Sequence, residues 1–119
     1  MAKRDDEFLR DMLIGFEDSD DYAFVIGGYM RMPADERKQE YHVHLACDAG
    51  LMIEIGREVF RLSNSGHDYI QATRDEGIWQ STKNAVAETG GSATLEIVKS
   101  LATGFLKQKI AQHTGVEIQ

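Results

Sequence analysis

The sequence predicts an α+β chain: a helix, a short strand, a second helix, a two-strand hairpin and then further helices. Three stretches carry that prediction. LMIEIGREVFRL (51–62) is two β-favouring runs on either side of Gly56-Arg57. ADERKQEYHVHLACDA (34–49) is a helical stretch closed by Gly50. From residue 75 onward, apolar residues recur at helical spacing, interrupted only by TGG at 89–91.

The elements follow in order. Residues 4–17 read as a helix because Phe8, Leu9, Met12, Leu13 and Phe16 share one face, and EDSDD ends it. YAFVI (22–26), closed by Gly27-Gly28, reads as a buried strand. Pro33 suits a helix start, where its missing N–H is not needed. In the helix that follows, His42, Leu45, Ala46 and Ala49 form the apolar face. Arg37, Tyr41, His44 and Asp48 lie opposite.

In the hairpin, Gly56-Arg57 suits a two-residue type II′ loop. That register sets Ile55 against Glu58, Ile53 against Phe60 and Leu51 against Leu62. Leu51, Ile53, Ile55, Phe60 and Leu62 then share a buried face, and Met52, Glu54, Val59 and Arg61 the other. Ser63 or Asn64 caps the next helix. Gly66 falls in its first turn, where glycine costs about 1 kcal/mol against alanine. Close approach to the backbone of the hairpin or the preceding helix offsets that cost, with Tyr69 and Ile70 supplying buried contacts. The alternative is a loop glycine and a helix from His67. Residues 75–88 place Ile78, Trp79, Thr82, Ala85 and Val86 on one face. Ser92 then caps a last helix running to about residue 112, with Glu96 in its first turn.

The length suits one domain, 1–119, with a core at about 4–74 and a helical extension at about 75–113. The absence of an apolar leader or span, together with a single cysteine, Cys47, points to a cytoplasmic protein with no membrane partner. The net charge is −7, and residues 1–21 alone hold three basic and eight acidic side chains. No segment is basic enough for a generic grip on nucleic acid.

The order helix, strand, helix, hairpin, helix is that of a winged helix-turn-helix core extended by C-terminal helices. YHVHLACDAGLM resembles the third helix of winged-helix repressors, including the ArsR type. FRLSNSGHDYI resembles the Leu-Ser/Thr-x-x-Gly segment that leaves the last wing strand in such regulators. Over nearly the whole chain, KRDDEFLRDML, YHVHLACDAGL, RLSNSGHDYIQATRDEGIW and GGSATLEIVKSLATGFLKQKI resemble a family of small bacterial and prophage proteins classed as a domain of unknown function. The resemblance implies a winged-helix-like core followed by helices. It brings no activity and no catalytic residues, and the cysteine pair of an ArsR metal site has no counterpart beside Cys47.

No enzyme is expected, because no nucleophile elbow, P-loop or dinucleotide motif is present. A zinc site at His44 and Cys47 would need two more ligands, with His67 and His113 as candidates and no spacing rule behind them. The simpler reading makes His42 partly buried, His44 exposed and Cys47 a small core residue, with no metal or cofactor. The leading functional expectation is a DNA-binding transcription regulator. Arg37, Lys38, Tyr41 and His44 would read the major groove, while Arg57 and Arg61 in the wing would hold phosphate. Asp35, Glu36, Glu40 and Asp48 stand among these donors and oppose it. The alternative is a protein–protein interaction module on the same scaffold, recognising a host or phage protein without DNA. A homodimer is expected through the last helix, where Leu95, Val98, Leu101, Phe105 and Leu106 belong to an unusually wide apolar surface.

Overall fold

Asp5 opens the first helix by accepting the Phe8 N–H at 3.0 Å, and α1 runs Asp6–Asp18. It is followed by β1 (Phe24–Val25), α2 (Ala34–Asp48), β2 (Met52–Gly56), β3 (Val59–Leu62), α3 (Asn64–Thr73), α4 (Glu76–Glu88) and α5 (Leu95–Thr114). The structure, a computed structural model, describes residues 3–91 and 93–115. Among the described residues the architecture is α+β, with five helices and a three-stranded antiparallel sheet of order β1-β3-β2. The chain divides into two compact units, Met1–Asp68 and Tyr69–Gln119, with the division inside α3.

In the first unit α1 packs on α2 and β3, and α2 packs on β2. Leu9, Leu13, Ile26, Val43, Ala46, Leu51, Met52, Phe60 and Leu62 are its buried apolar residues. Helical spacing identifies Leu9, Leu13 and Ala46, but Val43 lies outside the expected face of α2. The expected buried strand at 22–26 is corrected: β1 is two residues long at a sheet edge, and Val25 faces solvent while Ile26 is buried.

The hairpin register also differs from expectation. Met52 pairs with Leu62, Ile53 with Arg61 and Glu54 with Phe60, and after a bulge Gly56 pairs with Val59. The turn is therefore Arg57-Glu58, and Glu58 rather than a glycine takes the left-handed conformation at φ 60°. The cause lies at the other end of the hairpin. Leu51 N–H donates to Ala46 O at 2.8 Å, just past the C-terminus of α2, and Leu51 O accepts Ser63 N–H at 3.0 Å. That pairing sets Leu51 against Ser63, one residue from the expected partner. A one-residue slip exchanges the faces of a strand, so Met52 is buried while Ile53 and Ile55 are exposed.

Ser63 then begins α3. Its hydroxyl donates to Gly50 O and accepts the Gly66 N–H at 2.9 Å. A Cβ on Gly66 would stand 2.1 Å from Leu51 O, so the close-approach reading of this glycine is correct. Gly50, at φ 77°, supplies the left-handed step between α2 and β2.

In the second unit α4 packs along α5. Ala72, Ile78 and Ala102 form a buried cluster against which Phe105 and Leu106 pack. Asp75 caps α4 by accepting the Ile78 N–H at 3.0 Å, and Lys109 of α5 pairs with its other carboxylate oxygen. The buried hydroxyls of Thr73 and Thr82 each donate to the carbonyl four residues back, both at 2.8 Å. Thr94 caps α5; the expected cap, Ser92, lies outside the described residues. Leu95 and Val98 are buried and Leu101 is half-buried. The wide apolar surface of α5 is thus largely taken up within the chain, with Ile97 left exposed.

Candidate interaction surface

Asp5, Phe8, Lys38 and His42 form a lock between α1 and α2. His42 is fully buried, beyond the partial burial expected of it. Its Nδ1–H donates to Lys38 O at 2.8 Å, and its Nε2 accepts the Asp5 N–H at 2.9 Å. Accepting at Nε2 fixes the neutral tautomer with the proton on Nδ1. The ring packs 4.8 Å from that of Phe8. Lys38 Nζ reaches Asp5 at 3.0 Å and lies 4.6 Å from the centre of the Phe8 ring. The Phe8 N–H and the Lys38 ammonium hold the Asp5 carboxyl below the ordinary aspartate range.

This lock changes the standing of the side chains expected to read bases. Lys38 is turned toward the start of α1. Arg37 donates to Met32 O at 2.6 Å, closing the loop that leads into its own helix. Tyr41 is half-buried with its ring edge-on to His42. His44 is exposed, edge-on to Phe60 at 5.6 Å. Glu40 accepts the Gly28 N–H at 3.3 Å, and Asp35 and Asp48 are exposed on the same helix. Arg57 stands exposed at the hairpin turn. Arg61 donates to Leu62 O at 3.1 Å and lines a concavity of about 340 Å³ with Phe16, Asp20, Asp21 and Tyr22. The expected phosphate contact therefore sits in acidic surroundings.

Cys47 is half-buried, and burial first, then Glu54 and Asp48, push its thiol above the ordinary range. A thiol so placed is protonated at neutral pH and a poor nucleophile. Among the described residues, no group of three or more His, Cys, Asp and Glu is placed to hold a metal ion. His67 instead pairs with Glu17 at 2.8 Å. No helix among the described residues is long and apolar enough to cross a membrane.

Sequence reasoning passed over the outer face of the sheet. Val25 lies directly opposite Val59, while Ile53 lies opposite Arg61, two residues further along β3 and hence on the same face. Ile55 sits at the bulge beside them. The signal was present in the alternation of Ile53 and Ile55, but the assumed turn placed it on the inner side.

The family model described as "Hypothetical protein (DUF2513)" matches residues 3–92. The chain belongs to this family. The match spans the elements from α1 through α4 and ends ahead of α5. Searches of curated proteins and of solved structures gave no match.

Proposed function

We propose that the protein is a protein–protein interaction module whose first unit is a winged-helix-like scaffold. The order helix, strand, helix, hairpin supports the scaffold, as does the antiparallel sheet that joins β1 to the hairpin through β3. The observation that carries the interaction reading is charge. Residues 1–68 hold eight basic and fifteen acidic side chains, a balance of −7, while residues 69–119 hold five of each. Duplex DNA is bound chiefly by neutralising phosphates, and a unit this acidic repels them. Two of the four base-reading candidates, Arg37 and Lys38, already have partners within the unit.

The test is capture of partners by the tagged full chain from its native host, before and after nuclease treatment. A defined complex that survives nuclease and reforms from purified components supports the reading. Complexes that all disappear with nuclease refute it.

DNA binding is the second reading. It is favoured by the exposed Arg57 at the hairpin turn and the exposed His44 on the helix preceding that hairpin. It requires that Arg37→Glu and Arg57→Glu each abolish DNA binding while leaving thermal stability nearly unchanged.

A further inference from the structure

The first turn of α1 is held to α2 by a bond that needs a neutral histidine. His42 Nε2 accepts the Asp5 N–H at 2.9 Å, while Nδ1–H is committed to Lys38 O at 2.8 Å. A backbone N–H cannot reverse its role. A proton on Nε2 would therefore set donor against donor at a fully buried ring. Asp5 is also the cap of α1: its carboxylate accepts the Phe8 N–H, and its carbonyl accepts the Leu9 N–H at 2.9 Å. The charge on His42 thus reaches the whole first turn.

The far end of α1 is tied by a second histidine with the opposite dependence. His67, on α3, places Nδ1 2.8 Å from Glu17 Oε2, and the contact becomes an ion pair when His67 is protonated. Both ties lie within the unit Met1–Asp68.

The surrounding charges leave this opposition in place. His42 meets Asp5 from the start of α1 and Lys38 one turn back on its own helix, with the Tyr41 ring edge-on to it. Glu54 of β2, which packs on α2, acts on Cys47 instead. Both carboxylate oxygens of Asp5 are engaged, one by the Phe8 N–H and one by Lys38, so the carboxylate could take a proton-bearing Nε2 only at the expense of the cap or the ion pair. His67 shares its concavity with Glu17, Asp20, Asp21 and Arg61, and Asp68 follows it on α3. The Asp5 carboxyl is held below the ordinary aspartate range, so histidines are the groups that change charge between about pH 8 and 5.

We propose that α1 is a pH-operated arm: protonation of His42 releases its first turn from α2, while protonation of His67 tightens its far end on α3. The sign follows from the bonds. The Asp5–His42 bond exists only with His42 neutral, so acid favours release. The Glu17–His67 contact is stronger with His67 charged, so acid favours its retention. Release bares the Phe8 ring and frees Lys38 from Asp5. The device needs no partner and stands apart from the interaction-module reading.

Nuclear magnetic resonance of the nitrogen-15-labelled full chain tests it, through the imidazole nitrogens and amide hydrogen exchange from about pH 7.5 to about pH 5. At the upper pH, His42 should be neutral with its proton on Nδ1. At the lower pH, protection at Asp5, Phe8 and Leu9, corrected for intrinsic exchange, should fall by about tenfold or more, while Leu13 and Phe16 change by less than about twofold. His42→Gln offers an amide oxygen to the Asp5 N–H and does not titrate, so its first turn should show no such fall. If that variant does not keep the parent circular dichroism spectrum, the parent ring decides: His42 must become doubly protonated over the same pH range in which the amides lose protection. Four results overturn the proposal. They are a neutral His42 carrying its proton on Nε2, a His42 that stays neutral to about pH 5, first-turn protection that survives protonation of His42, and a loss of equal size along all of α1. A folded His42→Gln protein with the parent's response overturns it as well.

Discussion

Replacing Gly66 with alanine should destabilise the chain, against the direction set by helix propensity. In an open helix the change gains about 1 kcal/mol. Here the added Cβ would meet Leu51 O at 2.1 Å, where contacts below 3.0 Å are essentially never found. Relief requires a displacement of about 1 Å between the start of α3 and β2. The atom in the way is a backbone carbonyl, so no side-chain rotation can provide it. The same carbonyl accepts Ser63 N–H at 3.0 Å, and Ser63 caps α3 through Gly66 N–H. The displacement therefore strains two hydrogen bonds, each worth about 1 kcal/mol. Overpacking of this kind costs about 1–3 kcal/mol. After the propensity gain, the expected net loss is about 2–4 kcal/mol, a fall in Tm on the order of 10 °C. Urea denaturation and thermal melts followed by circular dichroism measure it. Gly15→Ala and Gly104→Ala are the controls: both glycines are helical with nothing within 4 Å of an added Cβ, and both variants should be as stable as the parent or up to about 1 kcal/mol more stable. A Gly66→Ala protein at least as stable as the parent would refute the packing argument.

Other outcomes follow from the same structure. Asp5→Asn keeps an N-cap but removes the ion pair with Lys38, so it should cost under about 1 kcal/mol at pH 7. Its effect should depend on pH: the Asp5 carboxyl is held below the ordinary value of about 3.9, so its contribution is complete above that value and lost as pH falls through the lower folded value. The gap between parent and variant in urea titrations should therefore close on acidification. His42→Leu should cost about 2–4 kcal/mol, because it leaves the Asp5 N–H without its acceptor inside the lock; chemical denaturation reads this. Trp79→Ala should cost about 3–5 kcal/mol from cavity formation in the second unit, measured the same way.

The amphipathic helices were the legible part of the fold. Leu9 and Leu13, or Ile78, Trp79 and Thr82, announce their faces because a single periodicity governs them. Gly66 was legible too, since an unfavourable residue in a helical first turn asks for a steric reason. The hairpin was legible as an element but not in register. Gly56-Arg57 has good turn chemistry by local preference, yet the backbone bonds of Leu51 to Ala46 and Ser63 fix the pairing from the opposite end. The bond to Ala46 belongs to the helix end that Gly50 announces, but the bond to Ser63 crosses the whole hairpin, and no residue at the turn signals it. The same limit applies to the candidate site. Arg37 and Lys38 look like free donors on a helix wheel, and only the fold brings Met32 O and Asp5 within reach of them. The apolar residues of α5 look like a dimer face on a helix wheel, and only the fold shows that Ala102 is buried with Ala72 and Ile78 and that Phe105 and Leu106 pack against this cluster.

The most direct discrimination between an interaction module and a DNA reader is selection from a random double-stranded DNA library by the purified chain at about 0.15 M salt, followed by sequencing. With −7 on the first unit and Arg37 and Lys38 engaged inside it, no motif should be enriched, and any binding at low salt should vanish as salt is raised. A motif that persists at 0.15 M salt and is lost in Arg37→Glu and Arg57→Glu would contradict this and establish a sequence-specific DNA-binding protein.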